Sequence, residues 1–142
     1  MYVTVFAVVD LVLLVATAMF GAASLRKWSQ HRAAGWPIAK ISTHVVLQII
    51  SIALWIAFIL TGSLILAWIT FAVITTGQVF GDLLMFASYR ARYPDAPKRR
   101  YLTMGGDVLS FKRPLPALHA LVGAVAWFGM LAICIVASVL YS

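Results

Sequence analysis

Charge is what this chain lacks most. Only 11% of its 142 residues are charged, four of them acidic. Soluble domains are about a quarter charged and about half apolar, whereas 63% of this chain is hydrophobic. So many apolar side chains exceed what the interior of a small soluble fold accepts, so lipid is expected to solvate much of the surface. Cysteine is almost missing too. Cys134 alone excludes an internal disulfide, and its place in an apolar run suits a small hydrophobe.

Catalytic signatures are also missing. No Ser-His-Asp spacing, Gly-rich phosphate loop, HExxH or CxxC motif occurs, and Gly105-Gly106-Asp107 is too short for a nucleotide site. These absences point away from an enzyme. The N-terminus, Met1-Tyr2-Val3-Thr4, has no basic region ahead of its apolar run. A secretory signal would need one, so the first segment is expected to be a retained helix.

What is present is organised around the stretch from Ile41 to Ser88. It carries one formal charge, Asp82, and one break, Thr61-Gly62-Ser63. A membrane-spanning helix needs about 20 apolar residues to cross ~30 Å of hydrocarbon, so this stretch reads as two spans joined by a tight hairpin. Spans are expected over 2–25, 41–60, 64–88 and 115–141, with basic loops at 26–40 and 89–114. The fold class is therefore all-α: a single-domain polytopic membrane protein built as a four-helix transmembrane bundle. The 89–114 segment, with Tyr93-Pro94-Asp95-Ala96-Pro97 and Gly105-Gly106-Asp107, reads as an irregular loop with room for one short amphipathic piece.

The net charge of +7 sorts by position. Every Lys and Arg lies in the two loops or at their edges, and the hairpin tip has none. Basic residues collect on cytoplasmic loops, so both termini are expected on the non-cytoplasmic side of a bacterial-type cytoplasmic membrane. Topology explains the charge, and nucleic acid is not expected as a partner. The expected partners are the bilayer, anionic lipid headgroups at the basic loops, and other membrane subunits or a second copy of the chain. Trp28, Trp36, Trp55 and Trp68 are placed for the aromatic belts of the two interfaces.

Polar residues inside spans usually face the bundle or a functional site. Helical spacing collects Asp10, Thr17, Gly21 and Ser24 on one stripe, and His44, Gln48, Ser51 and Trp55 on another. The third span offers Ser63, Ala67, Thr70, Gly77 and Gly81, and the fourth His119, Gly123, Ala126 and Met130. Small and polar stripes of this kind are what helix packing in lipid uses.

His44 and His119 stand out. Each follows shortly after the start of a span that enters from the basic side, so their depths match. Two neutral imidazoles facing across a bundle suit axial ligation of a b-type haem. Gly21 and Gly81 would then give clearance at the same level, and Lys40, Lys112 and Arg113 stand at the mouth for the propionates. The layout is that of membrane b-type cytochromes by analogy only. A metal ion held by His44, His119 and Asp82 is a related alternative. His31, in the basic loop, reads as solvated.

Three functions follow from these features. The first is a non-catalytic accessory or anchoring subunit of a larger membrane complex, such as a respiratory one. The second is an electron-transfer subunit with one bis-histidine haem b. The third is a small proton- or ion-coupled channel or transporter using the intramembrane carboxylates Asp10 and Asp82.

Overall fold

The computed structural model describes residues 2–30, 37–95 and 100–140. Five helices follow one another: α1 (Tyr2–Ser29), α2 (Ile38–Thr61), α3 (Leu64–Arg92), α4 (Tyr101–Leu109) and α5 (Pro114–Leu140). No strand occurs among the described residues. Helices α1, α2, α3 and α5 are each long and apolar enough to cross a membrane. The protein is thus an all-helical integral membrane protein with a four-helix bundle. His31, Arg32, Trp36, Lys98 and Arg99 lie outside the described residues.

Three helices outrun the expected spans, α2 by starting at Ile38 and ending at Thr61. α1 continues to Ser29 and α3 to Arg92, because nothing in Arg26-Lys27-Trp28 or Tyr89-Arg90 breaks a helix. Arg26 and Lys27 in the last turn of α1, and Arg90 and Arg92 in that of α3, also suit the negative end of a helix dipole. Pro114 opens α5, where a missing N–H costs nothing.

The hairpin between α2 and α3 turns on Gly62. Its φ of 69° is left-handed, a conformation glycine enters without a Cβ clash. Its N–H caps α2 by bonding Phe58 O at 2.8 Å. The bundle therefore has a hairpin end, holding Gly62, Tyr2 and Leu140, and a basic end, holding Arg26, Lys40, Arg92 and Arg113.

Neighbouring antiparallel helices pack as two close pairs, α2 with α3 and α1 with α5. The pairs meet more loosely through α1 with α2 and α3 with α5, which leaves α2 and α5 parallel across the diagonal. Burial follows steps of four and three on every long helix. Val3, Ala7, Asp10 and Leu14 are buried on α1; Ser51, Trp55 and Phe58 on α2; Ala67, Thr70, Ile74 and Gly77 on α3; Ala126, Met130, Ile133 and Ala137 on α5. That 3.5-residue spacing is the one left-handed helix bundles use.

Trp55 is corrected by this packing. It is a core residue, fully buried, with its indole N–H bonded to Ala7 O at 3.1 Å and its ring against Phe58. Its stripe brought it inward although it stands near the hairpin. Trp68, in contrast, is partly exposed and donates to Ser138 Oγ at 3.0 Å.

The Gly105-Gly106-Asp107 turn expected in the basic loop is a helical segment instead, inside α4. Two glycines cost a helix about 1 kcal/mol each, but α4 buries Met104 and Val108 and is tied at both ends. Tyr101 donates to both oxygens of Asp82, at 3.2 Å each. Asp107 meets Arg92 at 2.8 Å and Arg113 at 3.2 Å. Tertiary contacts override the local preference. Nothing in the structure explains why glycine stands at 105 and 106.

Candidate functional site

The two intramembrane histidines converge. Their ring centres are 6.1 Å apart and the ring planes lie at 82°. His44 sits six residues into α2 and His119 five residues into α5, about 7–9 Å from the helix starts at 1.5 Å per residue. Because α2 and α5 run parallel, equal depth on each helix becomes proximity across the diagonal.

Each imidazole is held in the same way by the neighbouring helix of its pair. His44 Nδ1 is 2.8 Å from Gly77 O on α3, and His119 Nδ1 is 2.8 Å from Thr17 O on α1. A carbonyl only accepts, so Nδ1 carries the proton in both rings. Nε2 is then left with its lone pair, and neither Nε2 has a partner among the described residues. One turn beyond each carbonyl stands a glycine that the ring packs against. A Cβ on Gly21 would lie 2.8 Å from His119 Cε1, and one on Gly81 would lie 3.1 Å from His44 Cε1. The room these glycines leave is filled by imidazole. Thr17 with Gly21, and Gly77 with Gly81, are thus equivalent cradles.

The next turn repeats the exchange with sizes reversed. Gln48, one turn beyond His44, presses its amide on Gly77, where a Cβ would meet Nε2 at 2.6 Å. Gly123, one turn beyond His119, faces Thr17, whose Cγ2 would lie 3.2 Å from an added Cβ. Gln48 Nε2 is buried with no hydrogen-bond partner.

The carboxylates do not join this layer as histidine partners. Asp82 is adjacent to Gly81 in sequence but is taken up by Tyr101. Burial pushes the Tyr101 phenol up, and the Asp82 charge and hydrogen bond add to it. Asp10 lies eleven residues before Gly21, about 16 Å along α1. It is 2% exposed, both its oxygens are unpartnered, and Oδ1 would lie 2.8 Å from a Cβ on Gly129. The two carboxylates occupy separate levels of the bundle.

At the basic end, Lys40 and Lys112 are exposed, while Arg113 is engaged. Asp107 accepts from Arg92, Arg113 and the Tyr93 hydroxyl. Burial works to raise the Asp107 carboxyl, but the Arg92 hydrogen bond and the Arg92 and Arg113 charges outweigh it, holding it below the usual carboxylate range. Arg113 is pulled below its ordinary value, first by burial and then by the Arg92 charge.

The donor set decides what the histidine layer suits. A zinc ion needs about four protein or water ligands, and no group of three or more His, Cys, Asp or Glu converges among the described residues. Haem needs two ligands from the chain, since the macrocycle supplies four nitrogens. Imidazole–metal bonds run ~2.0–2.1 Å, so two rings on opposite faces of one iron have centres about 6 Å apart. Metal-bound histidines also habitually donate their other N–H to a carbonyl or carboxylate. The 6.1 Å ring separation and the two Nδ1 bonds are compatible with a pair of imidazole ligands.

Sequence spacing put His44, His119, Gly21 and Gly81 at one level, and the structure packs each imidazole on one of these glycines rather than leaving the room open. Spacing did not locate Thr17 O and Gly77 O, because backbone acceptors carry no side-chain signature. The shared four-residue step from each to its glycine was the one available sign. Compared with protein-family models, curated proteins and solved structures, the chain matches none.

Proposed function

We propose that this chain is a small membrane electron-transfer subunit that holds one b-type haem between His44 and His119. The observation that carries the reading is the facing imidazole pair, 6.1 Å apart, with both Nδ1 atoms committed to carbonyls. Bound there, haem would supply a one-electron iron couple. The chain's residues fix the tautomer that leaves Nε2 free to ligate, and they orient each ring through Thr17 and Gly77. Gly21 and Gly81 let α1 and α3 close on the rings and keep water from them.

The site is off-centre. From His119 to Leu140 the helix runs about 31 Å, while the basic end is within about 9 Å of the histidines. One haem so placed exchanges electrons on the basic side, which the positive-inside rule assigns to the cytoplasm, with both termini outside. A lone haem does not carry charge across the whole bilayer. The subunit would therefore serve within a larger membrane complex, which joins the redox reading to the accessory one.

The test is haem stoichiometry. The full chain, expressed with haem available and purified in mild detergent, should carry close to one haem per chain. His44→Ala and His119→Ala should each abolish the low-spin spectrum while leaving helical content unchanged. A chain that remains colourless, or one whose spectrum survives both substitutions, would defeat the reading.

A further inference from the structure

We infer that Arg92 and Arg113 form an oxyanion site that takes a carboxylate of the bound haem, an inference that rests on the haem reading above. Two guanidiniums here share a single carboxylate, with Asp107 Oδ2 at 2.8 Å from Arg92 and 3.2 Å from Arg113. The cluster therefore holds one positive charge in excess. Arg92 Nη2 is buried and has no hydrogen-bond partner. A partly buried cation pair short of one anion has a specific deficit, and a second carboxylate fills it in both charge and hydrogen bonding.

Position selects the source of that carboxylate. Arg92 folds back along its own helix, its Nε bonding Ser88 O at 3.1 Å, and Arg113 Nη1 approaches Ser88 Oγ at 3.5 Å. Both guanidiniums thus gather at Ser88, two turns beyond Gly81, or about 10 Å from the histidine layer towards the basic end. Haem carries its two carboxylates on flexible arms at one edge of the disc, and the basic end is where cations await them. A lipid phosphate is the competing oxyanion. It is better met by Arg90, Arg100 and Lys112, which are exposed, than by Arg92 and Arg113, whose side chains are 29% and 32% accessible and tied to α4 through Asp107.

The experiment compares haem with haem dimethyl ester, which has the same ring and iron but no ionised carboxylate. Both are titrated into the haem-free full chain in detergent. The wild type should bind the free acid roughly tenfold tighter or more, the scale of a charged hydrogen bond in a partly buried site. Arg92→Gln/Arg113→Gln should bring the ratio close to one while the ester still gives a normal low-spin spectrum, which certifies the fold. Arg113→Lys, keeping the charge, should retain most of the preference. Equal binding of acid and ester by the wild type overturns the oxyanion site and leaves the haem reading standing. A preference that persists in the double variant overturns it too, as does a tightly held anionic lipid lost from that variant with the ratio unchanged. No low-spin spectrum with either compound overturns both proposals.

Discussion

The imidazoles of His44 and His119 face each other across the bundle diagonal, 6.1 Å between centres, with their planes close to perpendicular at 82°. Neither helix sets that angle alone. Each ring is rotated by the carbonyl it bonds, on α3 for one and on α1 for the other. Perpendicular imidazole planes leave two of the iron d orbitals nearly equal in energy. The oxidised haem protein should accordingly give a highly anisotropic low-spin electron paramagnetic resonance signal. A rhombic signal typical of parallel rings would contradict the orientation.

The glycine cradles can be tested by adding one methyl group. Gly21→Ala puts a Cβ 2.8 Å from His119 Cε1 and 2.9 Å from Nδ1, whereas Gly81→Ala stands 3.1 Å from His44 Cε1. Overpacking of this kind costs about 1–3 kcal/mol. Gly21→Ala should therefore lower thermal stability and haem retention more than Gly81→Ala does. Gly105→Ala, where an added Cβ meets nothing within 4 Å, should stabilise α4 by up to about 1 kcal/mol. Thermal unfolding of the three variants checks the order.

Trp55 distinguishes core from interface. An interfacial tryptophan tolerates truncation, but this one is fully buried and bonded to Ala7 O. Trp55→Ala should cost about 3–5 kcal/mol. Trp55→Phe, which loses the hydrogen bond and part of the ring, should cost less, about 1–2 kcal/mol. Detergent unfolding measures both.

The α4 clasp should respond to acid. The Asp107 carboxyl is held below its ordinary value, so its ion pairs stabilise the fold fully above the unfolded-state value of about 3.9. That contribution is lost as pH falls through the lower folded value. The protection of amides in 101–109, taken relative to the intrinsic exchange rate at each pH, should fall on going from pH 6 to pH 3. In Asp107→Asn the protection should be low at both pH values.

Much of this arrangement was legible in the order of residues. The stripe His44, Gln48, Ser51, Trp55 does face inward, as does Gly123, Ala126, Met130, because lipid leaves polar and small groups nowhere else to go. Matched depth of the two histidines was readable from helix starts alone. Three things were not readable. The carbonyls of Thr17 and Gly77 that orient the rings belong to backbone, which every residue has. Trp55 looked interfacial from its distance to Gly62, since an aromatic near a span end fits both a belt and a core. A short amphipathic piece was foreseeable in 89–114, but its place over Gly105 and Gly106 was not, because their local preference is reversed by contacts with Asp82, Arg92 and Arg113 outside the helix.

Whether His44 and His119 together hold a haem is open to direct measurement. The most direct measurement is a dithionite-reduced minus oxidised absorption spectrum of the gently purified full chain. We expect the sharp α band and shifted Soret band of a six-coordinate b-type haem, absent from both single histidine variants. A wild-type protein that stays colourless when haem is plentiful during expression would contradict the claim and leave an anchoring role in its place.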